Sequence, residues 1–109
     1  MVTPFTDSGA VDLDVAAALA RFLVDQGCDG LVVAGSTGEG SALSDDEKLD
    51  LFAAVAGAVT VPVLAGSTSS DTARSVALTA RVAATGVAVA LRNIDADSGF
   101  VAGIDRFIL

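Results

Sequence analysis

Apolar and polar positions along this chain fall into blocks, and the period changes from block to block. The runs Leu31-Val32-Val33-Ala34 and Val61-Pro62-Val63-Leu64-Ala65 are short and continuous, as buried strands are. Residues 29–34 and 61–65 are therefore read as strands, Val87–Leu91 as a further one, and Met1–Phe5 as the tail of a first strand ending at a proline. Between them the spacing becomes helical. Val15, Leu19, Phe22 and Leu23 recur at i, i+4, i+7 and i+8, with Asp12 placed as N-cap and Gly27 as the stop. A second helix opens where Ser44 and Glu47 stand at capping-box spacing. Asp45, Asp46 and Glu47 crowd its first turn, and Leu49, Phe52, Ala53 and Ala56 are its expected apolar face. The third helix is expected from Ser70-Asp71 to Gly86, burying Ala73, Val76, Ala77, Ala80 and Ala84. Beyond Arg92 the pattern weakens: 93–99 is turn-like, and 100–109 reads as a short helix or a frayed end.

The resulting order, β-α-β-α-β-α-β, predicts a parallel sheet with right-handed crossovers. One segment echoes another. Ala34-Gly35-Ser36-Thr37 reappears 31 residues later as Ala65-Gly66-Ser67-Thr68, each time after an apolar run. A repeat near 30 residues is that of a (β/α) barrel, whose full circuit takes roughly 250 residues. The fold class expected is α/β, a partial TIM (β/α)8 barrel of about three βα units plus a strand. Such a piece leaves an open sheet edge or requires a partner. Ligands bind at the C-terminal ends of parallel strands, where both echoed segments lie.

Composition narrows the class. Hydrophobic residues make up 52% of the chain, mostly Ala, Val and Leu, which suits helices packed closely on a parallel sheet. No apolar run approaches the ~18–20 residues of a membrane span, and no basic segment precedes an apolar core as in a signal peptide. Cys28 is the single cysteine, so an internal disulfide is excluded; it reads as a small core residue, and a cytoplasmic location is expected. The net charge is −8 and Lys48 is the only lysine. That argues against nucleic acid and anionic membranes as partners. The acidic surplus reads either as solubility by net charge or as adaptation to high salt.

Candidate chemistry centres on Gly35 to Ser41. Its glycines allow close approach of the backbone, and the hydroxyls of Ser36 and Thr37 can donate to a carboxylate or phosphate or pass a proton. Spacing alone leaves a ligand loop and a plain strand-to-helix turn equally open. It is not a Walker motif, since no lysine follows the glycine. Ser67 to Ser70 reads more readily as structural, with Ser69 or Ser70 capping the third helix and Asp71 paired to Arg74 on the surface. Glu39 could serve as a base, but reads more readily as holding the turn through hydrogen bonds to loop N–H groups. Lys48 is expected on a polar face among acids that keep it charged, a poor setting for a Schiff base. The chain has no histidine, and no metal or cofactor site is read.

Taken in order, Met1-Val2-Thr3-Pro4-Phe5, Asp25-Gln26-Gly27-Cys28-Asp29-Gly30-Leu31-Val32-Val33, Gly35-Ser36-Thr37-Gly38-Glu39, Asp45-Asp46-Glu47-Lys48 and Pro62-Val63-Leu64-Ala65-Gly66 resemble the dihydrodipicolinate synthase / N-acetylneuraminate lyase family. The resemblance covers residues 1–87, the N-terminal portion of a (β/α)8 aldolase barrel, and leaves 88–109 as a divergent C-terminal tail. It implies a lyase that condenses or cleaves pyruvate or another 2-oxo acid through a Schiff base, without added cofactor and usually as a homotetramer. Carried over, Ser36 would be the catalytic proton-relay hydroxyl, and Thr37, with Ser36, would bind the substrate carboxylate. The family continues past Val87 through paired aromatics that include tyrosine; this chain has no tyrosine. The Schiff-base lysine belongs to a later strand, and Lys48 matches a different position. The expectation is a family member inactive as this chain, the alternatives being a non-catalytic self-associating half-barrel or a gene fragment without function.

Overall fold

The computed structural model describes residues 1–87 and the backbone of 89–91; the readings made for the tail beyond lie outside the described residues. Three helices and three strands alternate: α1 (Leu13–Asp25), β1 (Leu31–Val33), α2 (Asp45–Ala58), β2 (Val63–Gly66), α3 (Thr72–Val82) and β3 (Val89–Leu91). The strands form one parallel sheet in the order β1-β2-β3. Leu31 pairs with Val63 and Val33 with Ala65, while Leu64 pairs with Val89 and Gly66 with Leu91. Sequential parallel neighbours joined by helices are the βα units expected.

Local chemistry sets the helix limits. Asp12 caps α1 by accepting from the Val15 amide at 3.0 Å. At its other end Cys28 N–H donates to the Leu23 carbonyl and Gly27 N–H to that of Val24, a Schellman closure with Gly27 at φ 105°. In α2 the Ser44 hydroxyl accepts from the Glu47 amide, and the Glu47 carboxylate accepts from the Ser44 amide. Asp71 is the N-cap of α3, accepting from the amides of Ala73 and Arg74. Neither Ser69 nor Ser70 caps this helix.

The faces differ from those read in the sequence. α1 turns Ala16 and Ala20 inward, both fully buried, and leaves Val15 and Phe22 about half exposed, at 49% and 57%. Two stripes compete on this helix, and the small one wins because alanine lets α1 pack closely against α2. On α2 three of the four expected residues face the core, Phe52 buried and Leu49 and Ala56 packed against it, but Lys48, Leu51 and Val55 are buried with them and Ala53 is exposed. α3 buries Ser75, Leu78 and Val82, while Ala73, Val76, Ala77, Ala80 and Ala84 all face outward. Its inward hydroxyls are satisfied internally: Ser75 donates to the Asp71 carbonyl at 3.0 Å, and Thr79 shares a 2.8 Å bond with Ser67. A buried polar group that finds its partner costs little, so hydropathy picks the wrong side.

Two shorter expectations are also revised. Met1–Phe5 forms no strand; a single antiparallel bridge joins Phe5 to Val11, and Pro4 supplies no N–H to extend a ladder. Cys28 is exposed rather than in the core, since the Schellman turn carries it out over the end of α1. The core itself lies between helices and sheet, around Leu31, Val33, Leu51, Phe52, Val55, Val63 and Leu78.

Candidate active-site loop

β1 stops at Val33 because Ala34 turns into the left-handed region, at φ 55°. That turn aims the Ala34 carbonyl at Gly40 and Gly66. A Cβ at either glycine would overlap the carbonyl oxygen, so both positions require glycine. The chain then folds back tightly. Glu39 N–H donates to the Ser36 carbonyl and Gly40 N–H to that of Gly35, both at 3.1 Å. Glu39 is also left-handed, at φ 55°, and leads into a short 3-10 turn, Gly40–Ala42. Leu43 is then buried as an anchor before the capping box of α2.

This places Ser36 and Thr37 at the C-terminal end of β1, both exposed, beside a shallow recess of about 170 Å³. Met1, Val32, Gly35 and Gly38 line it with them. Neither hydroxyl has a partner among the described residues. Both remain available to donate to a small anionic or carbonyl ligand. The Met1 amine donates to the Val32 carbonyl at 2.6 Å, and burial pulls its pKa below the ordinary value for an α-amino group.

The echoed segment does not repeat this geometry. Ser67 is fully buried and bonded to Thr79, and Ser69 bonds to Ser75 and to the backbone of Asp71. The second copy fastens α3 to the end of β2 through its buried serine, whereas both hydroxyl residues of the first, Ser36 and Thr37, are exposed. Glu39 holds its turn through its backbone conformation, and its carboxylate makes no hydrogen bond among the described residues.

Lys48 is not on a polar face. It is 3% exposed on the inward side of α2, and its ammonium has no hydrogen bond or ion pair among the described residues. Burial pulls its pKa below the ordinary lysine value, with nearby Asp45 opposing the shift. Asp45 is instead held by Arg74, whose Nη2 lies 3.0 Å from one carboxylate oxygen and whose Nε spans both. That bond holds the Asp45 carboxyl below its usual range. Arg74 thus bridges to α2 rather than to Asp71, and Arg81 does the same with Asp46 at 2.9 Å. Lys48 does not line the recess beside Ser36 and Thr37. Among the described residues no three metal-ligating side chains converge, and no helix is long and apolar enough to cross a membrane.

Sequence reading missed two residues around this loop. Thr3, 6% exposed, donates its hydroxyl to the Gly38 carbonyl at 2.6 Å. Nothing in the local pattern signals a contact across 35 positions. The burial of Lys48 left a trace: it falls at i−3, i−4 and i−7 from Leu51, Phe52 and Val55.

Known proteins share both sequence and geometry with this chain. A family model described as the Dihydrodipicolinate synthetase family matches residues 1–92. A 4-hydroxy-tetrahydrodipicolinate synthase of Synechococcus sp. (strain CC9605) is 57% identical over 93 residues, 84% of this chain and 31% of the relative. The chain thus spans about a third of the length of that curated relative. Among solved structures, a dihydrodipicolinate synthase of Bacillus anthracis superposes with a TM-score of 0.80 at 35% identity, over 90% of this chain and 35% of the other. A prophage protein of the same family from E. coli K12, solved in complex with pyruvate, gives 0.78 at 30% identity, over 84% and 31%. The alternation of strands and helices, the hydroxyl loop after β1 and these likenesses agree: the chain belongs to the dihydrodipicolinate synthetase family and has the fold of the N-terminal part of its TIM barrel.

Proposed function

We propose that the loop Gly35–Gly40 is the carboxylate-binding part of a pyruvate-dependent aldolase site. The observation that carries this reading is the pair of unpartnered, exposed hydroxyls of Ser36 and Thr37 at the C-terminal end of β1. Thr37, with Ser36, holds the carboxylate of pyruvate or a related 2-oxo acid, and Ser36 relays a proton to or from the reacting carbon chain. Hydroxyl donors suit a carboxylate because hydrogen bonds to a charged acceptor are stronger than neutral ones. The pyruvate complex of the E. coli relative supports the choice of ligand. The barrel portion runs on through β3 to residue 92, where the family match ends, and 93–109 is the tail that departs from it.

The lyase reaction also requires an amine that forms the Schiff base. Lys48 does not supply it, because its amine does not line the recess. In this reading the loop binds the 2-oxo acid, and Lys48, the only lysine of these 109 residues, takes no part in the covalent step. It is a cytoplasmic protein in this reading. The test is a titration of pyruvate into the labelled chain, followed by NMR. Saturable shifts confined to the amides of Ser36, Thr37 and their neighbours are expected; an unmoved loop at high millimolar pyruvate contradicts the reading.

A second reading, a self-associating half-barrel without catalysis, draws on the outward apolar side chains Val15, Phe22 and Val76, each about half exposed. Light scattering after size-exclusion chromatography separates the two: a monodisperse monomer contradicts association.

A further inference from the structure

We propose that Thr3 is a positioning residue for the Ser36-Thr37 turn. It acts through the Gly38 carbonyl; its relevance to ligand binding rests on the carboxylate reading above. The turn is otherwise held by backbone bonds alone. Among the described residues, the Thr3 hydroxyl makes the one side-chain hydrogen bond to any of residues 35–40, at 2.6 Å. That hydroxyl is buried, so the bond does not compete with water. It fixes the plane of the peptide that follows Thr37-Gly38, and so limits the directions in which the preceding side chains point.

A second observation joins the same two segments. A Cβ at Gly38 would stand 2.9 Å from the Met1 carbonyl and 3.2 Å from the Ala34 amide nitrogen. The Met1 backbone is therefore seated directly against the turn, with no room for a side chain at Gly38. Met1 itself lines the recess. Thr3 touches no ligand in this account; it holds the turn in which the ligand-binding hydroxyls stand.

The experiment compares the full 109-residue chain with Thr3→Val and Thr3→Ser by amide exchange and by pyruvate titration, both read by NMR. Thr3→Val keeps the shape and removes the donor. We expect it to speed exchange at the Glu39 and Gly40 amides while leaving α2 protected, and to weaken pyruvate binding about three- to tenfold, the usual worth of one hydrogen bond. Thr3→Ser restores both. Unchanged exchange at Glu39 and Gly40, or unchanged pyruvate affinity in Thr3→Val, overturns the proposal. If pyruvate fails to bind the wild-type chain, the carboxylate reading fails and exchange alone decides the role of Thr3. If Thr3→Val does not fold, the wild-type chain decides: a slowly exchanging Thr3 hydroxyl proton is expected, and a rapidly exchanging one overturns the proposal.

Discussion

Replacing Lys48 by methionine should make this protein more stable. The lysine stem lies on the inward side of α2 among Leu51, Phe52 and Val55, and the residue is 3% exposed. Its ammonium keeps some contact with water, since no buried side-chain polar atom among the described residues lacks a partner, but it gains no ion pair there, because Asp45 is engaged by Arg74. An unpartnered polar group that loses all contact with water costs about 1–3 kcal/mol, and one that keeps part of its hydration costs a fraction of that. Methionine keeps the length and apolar contacts of the stem and removes the charge. Lys48→Met should therefore gain about 0.5–1 kcal/mol at pH 7, a rise in melting temperature of roughly 4–8 °C per kcal/mol for a chain of this size. Urea denaturation followed by circular dichroism measures it. The pH dependence supplies a signed check. Burial lowers the folded-state pKa of Lys48 below 10.5, so the folded protein binds fewer protons there than the unfolded chain. The penalty is fully present below that lowered value and fades as the pH rises from it towards 10.5. The advantage of Lys48→Met should narrow over the same window. A variant that is less stable at pH 7, with a gap that does not narrow, would refute the reasoning and imply a paired ammonium.

Other substitutions follow from the same geometry. Glu39 is exposed and left-handed, so Glu39→Gly should relieve backbone strain and raise stability by about 1 kcal/mol in a urea titration. On α1, Ala20→Leu overfills a fully buried position and should cost about 2 kcal/mol, whereas Phe22→Gln on the exposed stripe should change stability by less than about 0.5 kcal/mol; the reverse ranking would mean the helix is rotated. Asp45→Asn removes the negative charge and one of the two oxygens that accept from Arg74, and should lower the melting temperature at neutral pH. Because Arg74 lowers the Asp45 pKa, that contribution is present above 3.8 and is lost as the pH falls through the folded-state value. Wild type and variant should converge in acid, and at high salt as well.

The alternation of strands and helices was legible because apolar runs and caps are local signals. Asp12, Gly27, the Ser44–Glu47 box and the turn at Gly86 all act within a few residues of themselves. The loop after β1 was legible for the same reason, since glycines and hydroxyls mark it directly. Helix faces were not. On α3 the inward residues are Ser75 and Leu78, and serine is acceptable there only because Ser69 and Asp71 complete its bonding. On α1 the choice between the Ala16–Ala20 stripe and the Val15–Phe22 stripe depends on how near α2 lies. Thr3 was illegible because its partner, Gly38, is distant in sequence and adjacent only in space. The echo of Ala34–Thr37 at Ala65–Thr68 marked two equivalent strand ends yet gave two unlike environments, one hydroxyl in solvent and one buried under α3.

The central proposal is that the Ser36-Thr37 loop binds the carboxylate of a 2-oxo acid and that Lys48 is not the amine that attacks it. Treatment of the intact chain with pyruvate and borohydride, followed by mass measurement and peptide mapping, tests that most directly. The account predicts no reduced adduct at Lys48, whose amine does not line the recess of Ser36 and Thr37. A stable, stoichiometric pyruvyl adduct on Lys48 would contradict it.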